Sequence, residues 1–397
     1  MKNLLFLVHR IPYPPNKGDK IRSYNFLKGL AEHYNIHLVA FIDDPEDWQY
    51  VGKIEALTDT SLLVNLNSSI AKVKSLTGLL TNKALSLPYY QSHKVQKWID
   101  KTVQENRIEK VFIYSSAMAQ YVDKYDDLDV TIDFVDVDSD KWSQYAQKAA
   151  WPMSWVYRRE AKQLLDYDKR VAKQSKMSAF VSEAESVLFK GLFDDNSEQI
   201  TYVNNGVDTV FFDPYLQYKN PYIGKGSNVV FTGAMDYWAN IDAVIWFVEK
   251  VFPLVKQQNS NAQFYIVGSN PAKEVLQLAT TEGVSVTGRV NDIRAYVFFA
   301  NVIVTPLLIA RGIQNKILEA MAMGKRIVAT PQAIEGITIT DQEVTVIENS
   351  MDFAMQVVRD LNNTRTDYCS VENRDFVTKH YSWSASLKRL TQIIESD

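Results

Sequence analysis

Short apolar runs recur along the whole chain, each followed by a stretch with apolar residues at helical spacing, and this rhythm restricts the fold more than any other feature. In the first half the runs fall at residues 4–8, 36–41, 61–64, 110–114, 130–134, 177–181 and 199–203. In the second half they fall at 229–231, 263–267, 284–286, 302–305 and 326–329. A strand buried on both faces needs a continuous apolar run, and helices between such strands are the crossovers of a parallel sheet. At 397 residues the chain exceeds the size at which one core keeps growing. The expected class is therefore α/β, with two Rossmann-like domains.

The break between them is expected after Asn205-Gly206-Val207-Asp208, because residues 212–226 are rich in Pro, Tyr, Asn and Gly and have no period. This assigns 1–207 to a first domain and 208–380 to a second. Near the end, Leu387, Leu390, Ile393 and Ile394 recur at helical spacing behind Ser382, a candidate N-cap.

Composition removes several classes. The single cysteine, Cys369, cannot form an intramolecular disulfide and fits a reducing compartment. A net charge of -4 gives no reason to expect nucleic acid, and five scattered histidines offer no metal-ligand spacing. The apolar run at 4–8 is too short for a signal-peptide core, and no run is long enough to span a bilayer. A soluble cytoplasmic protein is expected, or one that lies on a membrane without crossing it.

Three segments have the residue types of a phosphate and sugar site. Residues 311–324 read Arg-Gly-Ile-Gln-Asn-Lys-Ile-Leu-Glu-Ala-Met-Ala-Met-Gly. Ile313, Ile317, Leu318, Ala320 and Met321 make an inward helix face, Gly312 precedes the helix, and Gly324 closes it. A helix opening just after a glycine presents backbone N–H groups to an anion, with Lys316 and Glu319 inside it. Residues 10–23 form a proline-stiffened loop after the first run, leading to a helix expected near Lys20; Gly18 permits close approach of a ligand. Asp133-Phe-Val-Asp136-Val-Asp138 ends another run. Its Asp-x-Asp can bind a divalent metal, or Asp138 or Ser139 can cap a helix.

Together with Val181-Ser182-Glu183, Asn205-Gly-Val-Asp208, Gly233 after a strand, and Gly288-Arg289-Val290, these motifs resemble family 4 glycosyltransferases, enzymes of the GT-B fold. The nearest likeness is to sugar transferases of bacterial PEP-CTERM and exopolysaccharide systems, through Pro12-Tyr-Pro-Pro15, Gly18-Asp-Lys-Ile-Arg-Ser23 and Gly312-Ile-Gln-Asn-Lys316. The resemblance implies two domains facing each other across a cleft, with a last helix, 381–397, crossing back to the first. It implies retaining transfer of a sugar from a UDP- or GDP-linked donor to a saccharide or lipid-linked saccharide, with no cofactor and no metal. In its terms Glu319 holds the ribose, Gly18, Gly233 and Gly312 meet the donor, the backbone of Val290 lies at the base, and Arg289 is a further candidate for the diphosphate charge. Asp136 stands beside the reacting sugar, with Asp138, Lys20 and Arg22 on the acceptor side.

Two departures are evident. Arg311 stands where the family has its first carboxylate, and Met235, Asp236 and Tyr237 replace the basic residues usual after Gly233. The diphosphate charge is then expected to fall to Arg311 and Lys316, catalytic together with Asp136. An epimerase acting on nucleotide sugars and an inactive nucleotide-sugar-binding protein stay open. A nicotinamide enzyme does not fit, for no Gly-x-Gly-x-x-Gly follows the first run.

Two further stretches are basic and amphipathic. Residues 70–87 combine Lys72, Lys74 and Lys83 with Val73, Leu76, Leu79 and Leu80, without an acid. Residues 149–159 hold Trp151, Trp155, Tyr157, Arg158 and Arg159. Each either lies on an anionic membrane or packs on the sheet with a solvated basic edge.

Overall fold

The chain divides into two units, Met1–Asn204 with Ser386–Asp397, and Asn205–Ala385. The computed structural model describes all residues except 16–17, 194–197, 223–225, 311, 338–343, 363–368 and 397, and the side chain of Lys148. The division falls inside the Asn-Asn-Gly turn rather than after it.

Unit 1 is built on a sheet of β1 (Lys2–Val8), β2 (Tyr34–Ile42), β3 (Thr60–Asn65), β4 (Lys110–Tyr114), β5 (Asp129–Val135), β6 (Met177–Phe180) and β7 (Ile200–Tyr202). The order is β3-β2-β1-β4-β5-β6-β7, with every pair parallel. Leu4, Leu5, Phe6 and Leu7 are all fully buried, so both faces of β1 are covered and its apolar run has no polar alternation. After β3 the chain returns to the other side of β1. The carboxyl ends of β1 and β4 therefore flank the point where an open α/β sheet binds ligands.

Unit 2 repeats the plan with β8 (Ser227–Thr232), β9 (Ala262–Val267), β10 (Val284–Gly288), β11 (Val302–Thr305), β12 (Ile327–Ala329) and β13 (Thr345–Val346). Its order, β10-β9-β8-β11-β12-β13, puts the switch between β8 and β11. Every expected run is a strand. Among the strands of the described residues, β13 alone has no counterpart in the sequence pattern, since two residues are too few for one.

The helices that bear on function are α1 (Gly18–Leu30), α2 (Ser68–Ser75), α3 (Thr77–Thr81), α4 (Asp138–Lys148), α5 (Met153–Gln174), α6 (Trp238–Trp246), α7 (Asn315–Ala322) and α8 (Trp383–Glu395). Ser382 Oγ accepts from the Ala385 amide at 3.2 Å, the expected N-cap of α8. Residues 386–397 then belong to unit 1, where Lys110 Nζ donates to the Ile394 carbonyl at 2.8 Å. Leu387 fills the space over Gly29, leaving no room for a side chain there: an added Cβ would sit 2.0 Å from a Leu387 methyl. Among the described residues no helix is long and apolar enough to cross a membrane.

Candidate functional site

In unit 2 the ends of β8 and β9 meet backbone to backbone. A Cβ on Gly268 would lie 1.6 Å from the Gly233 carbonyl oxygen, so residue 268 has to be glycine for the two ends to close up. Immediately after, α6 brings Asn240, nearly buried, under the turn. Its side-chain NH2 donates to the Ala234 carbonyl at 2.8 Å. Its Oδ1 accepts from Lys316 Nζ at 2.6 Å. Lys316 comes from α7, across the switch point, and its ammonium stands 4.1 Å from the centroid of the buried Phe231 ring. A Cβ on Gly233 would be 3.2 Å from that ammonium, so the glycine keeps a side chain from shielding it.

The α7 segment starts at Asn315, three residues past Gly312, and no side chain of its N-cap residue, Gln314, caps the amides there. Gly312 has φ +67°, a conformation costly to other residues, and opens on space rather than on neighbours. Ile317, Leu318, Ala320 and Met321 are buried, as their spacing requires, whereas Ile313 lies before the helix and packs against the core only partly. Gly324, at φ +62°, ends it. Arg311 lies outside the described residues.

Lys316 and Glu319 are half-buried one turn apart. Burial lowers the Lys316 pKa to about 7, against the pull of Glu319. Burial likewise raises Glu319 to about 7, against the pull of Lys316. Both groups thus change charge near neutrality and respond to whatever charge is brought beside them. Arg289 is exposed just past β10, and Val290 half-buried against the core.

The corresponding edge of unit 1 is crowded with charge. Arg10 follows β1 and spans two carboxylates, Asp19 at 2.7 Å and Asp43 at 2.9 Å. Although burial opposes it, hydrogen bonding from His9 and the Arg10 charge hold Asp19 well below the usual carboxylate range. Gly18 is the first residue of α1, earlier than expected, and a Cβ on it would touch nothing. Lys20 is 3 % exposed and paired with Asp47; Arg22 is 1 % exposed, with Nε 2.7 Å from Asp133. As acceptor-side cations these two meet a different geometry, because each is spent on a buried carboxylate inside unit 1. Helical spacing turns that face of α1 to the sheet.

Asp136 and Asp138 do come together, through a residue the sequence reading did not single out. Lys141 Nζ lies 2.6 Å from Asp136 and 3.1 Å from Asp138. Neither Asp138 nor Ser139 caps α4, whose N-cap is Val137. Next to them Val135, at φ +71°, and Ser115, at φ +77°, hold left-handed conformations at the ends of β5 and β4. For a β-branched valine this is strained backbone, of the kind that gathers at functional sites. Asn240 was missed as well, since its pairing with Lys316 spans 76 residues.

Two Rossmann-like parallel sheets in succession, closed by a C-terminal helix that returns to the first, make this a GT-B fold. Residues 226–363, about a third of the chain, match the family model described as glycosyl transferases group 1. Among solved structures, a glycosyltransferase from Rickettsia africae is similar at 14% identity and TM-score 0.67, over 99% of this chain and 98% of that one. Sucrose-phosphate synthase from Thermosynechococcus elongatus is similar at 14% identity and TM-score 0.66, over 99% and 98%. HepE of Anabaena, solved with UDP and glucose, is similar at 12% identity and TM-score 0.65, over the full length of both chains. No curated protein matches the chain by sequence.

Proposed function

We propose that the protein is a retaining glycosyltransferase that takes a sugar from a nucleoside diphosphate and places it on a saccharide, free or lipid-linked. What carries the reading is the ammonium of Lys316, held by Asn240 rather than by a carboxylate, beside the Gly233 turn and the start of α7. An anion seated there gains a cation and helix N–H groups together. Glu319, one turn on, is the acceptor for the ribose hydroxyls. The family match over 226–363 includes all of these residues, and the HepE structure holds UDP on the same fold.

In this scheme the leaving diphosphate takes the acceptor proton, and the protein's part is to position and to stabilise departing charge. Lys316 and Arg311 serve the diphosphate, Gly18, Gly312, Arg289 and Val290 the donor, and Asp136, held in place by Lys141, the reacting sugar. No metal takes part. The likeness of the motifs at 12–15, 18–23 and 312–316 to exopolysaccharide-associated sugar transferases supports a role in exopolysaccharide or cell-surface glycan synthesis.

Thermal unfolding with UDP, GDP, ADP and TDP in turn tests this, followed by hydrolysis of the matching sugar donors with and without EDTA. One nucleotide is expected to raise Tm, EDTA to change nothing, and Glu319→Ala to weaken nucleotide binding by about tenfold or more. Stabilisation by none of the four overturns the reading.

A further inference from the structure

Two stretches of unit 1 contain no acidic residue. Residues 60–99 carry five lysines, and residues 141–159 carry Lys141, Lys148, Arg158 and Arg159. The fold joins them. From α5, Arg159 Nη2 donates to the Gly78 carbonyl at 2.6 Å and Nη1 to the Lys83 carbonyl at 3.2 Å. Glu160, the acid that ends the second stretch, is only 2 % exposed: both its oxygens accept from the Leu85 amide at 2.8 Å. The acid nearest the joint is thus withdrawn from the surface.

Around the joint the apolar residues point outward. Ile70 and Val73 share one face of α2, and Val73 is 70 % exposed. Leu80 of α3 is 90 % exposed, and Trp151, in the turn before α5, 81 %. Trp155, in the first turn of α5, is also exposed, while Ala71 and Leu87 anchor the segment to the core. A helix packed on the sheet hides its apolar stripe and solvates its lysines; here stripe and lysines 72, 74 and 83 are exposed together.

We propose that this face of unit 1 docks on an anionic lipid bilayer. Leu80, Trp151 and Trp155 enter the boundary between headgroups and acyl chains, and Lys72, Lys74 and Lys83 meet lipid phosphates. Charge complementarity selects this occupant. A second copy of the chain would set lysine against lysine, whereas an anionic surface attracts this basic face although the protein's net charge is -4. Exposed tryptophan beside lysine is also the composition of an interfacial segment. The inference is read from unit 1 alone and does not depend on the transfer reaction.

Flotation of the full chain tests it, with vesicles of phosphatidylcholine alone and with about a third phosphatidylglycerol. The chain is expected to float with the anionic vesicles only, and less at high salt. Leu80→Ser with Trp151→Ser and Trp155→Ser should lower binding by more than about tenfold. Lys72→Gln, Lys74→Gln and Lys83→Gln should each cost roughly fivefold. All six side chains are exposed, so Tm should hold in all four variants. The proposal is overturned by absent lipid-dependent flotation, or by flotation that none of these variants reduces. It is equally overturned if light scattering finds a dimer that the apolar variant abolishes while vesicles bind nothing. Stabilisation by nucleotide in the same samples reports separately on unit 2.

Discussion

The two units have the same kind of sheet and open at the same kind of switch point, but they treat charge in opposite ways there. In unit 1 Arg10 lies between Asp19 and Asp43, Lys20 on Asp47, Arg22 on Asp133, and Lys141 between Asp136 and Asp138. In unit 2 the edge is lined by Gly233, Gly268 and Gly312, and Lys316 is held by an amide oxygen. Paired charges build a fixed floor that has little left to offer an anion. A cation kept short of a carboxylate, and half-buried, keeps its attraction for one, at the cost of a lowered pKa.

The comparison is broken most forcefully at Arg22. Arg22→Met leaves Asp133 buried without its counter-charge and should cost about 3–5 kcal/mol in urea unfolding. Arg22→Met with Asp133→Leu should recover most of that loss. If the double variant is as unstable as the single one, the floor of unit 1 is not held by pairing.

Next comes pH. Diphosphate favours protonated Lys316 and ribose favours ionised Glu319, each with a pKa of about 7. Calorimetry should therefore find UDP affinity greatest near neutrality, falling by up to about tenfold per pH unit on either side until each contribution is exhausted. The stability of the unliganded protein runs the other way. Lys316 is lowered on folding, so above 7 and up to the ordinary lysine range the unfolded chain binds more protons and stability rises with pH. Glu319 is raised on folding, so between the ordinary glutamate range and 7 the folded chain binds more protons and stability falls as pH rises. The pair thus contributes least near 7, where UDP should raise Tm most. A flat profile would mean that neither group meets the nucleotide.

The smallest effect sharpens the comparison most. Asn240→Ala removes the oxygen that holds the Lys316 ammonium, a loss of about 1 kcal/mol, or roughly fivefold in UDP affinity. Because that oxygen favours the charged form, the alkaline limb of the affinity profile should also move to lower pH. A purely structural role for Asn240 would leave the limb in place.

Much of this was legible. The apolar runs at 110–114 and 302–305 became β4 and β11 end to end, because strands buried on both faces leave a signal that nothing nearby competes with. The helix carrying Lys316 and Glu319 was equally plain from spacing and from Gly324, though its first turn was placed too early: Ile313 continues the apolar period without belonging to the helix. Lys20 and Arg22 show the limit. A basic residue in a loop-to-helix segment reads as ligand-seeking until the carboxylates on other strands and loops are seen to claim it. Lys141 does carry a local signal, Asp138 one helical turn before it, which the sequence reading passed over; Asn240 carries none, since its partner lies 76 residues away.

By itself, then, the sequence determined the two parallel sheets, the helix at the candidate diphosphate site, the cap of the last helix and the acid-free basic stretches. All of these rest on periodicity or local chemistry, which extend over a few neighbouring residues. Only the tertiary structure decided which charges are consumed and which remain. It paired Arg22 with a strand residue 111 positions away, set Asn240 under Lys316 across 76, and left Leu80 and Trp151 exposed. Coulomb attraction and burial depend on distance in space, and the packing of the helices on their sheets sets that distance.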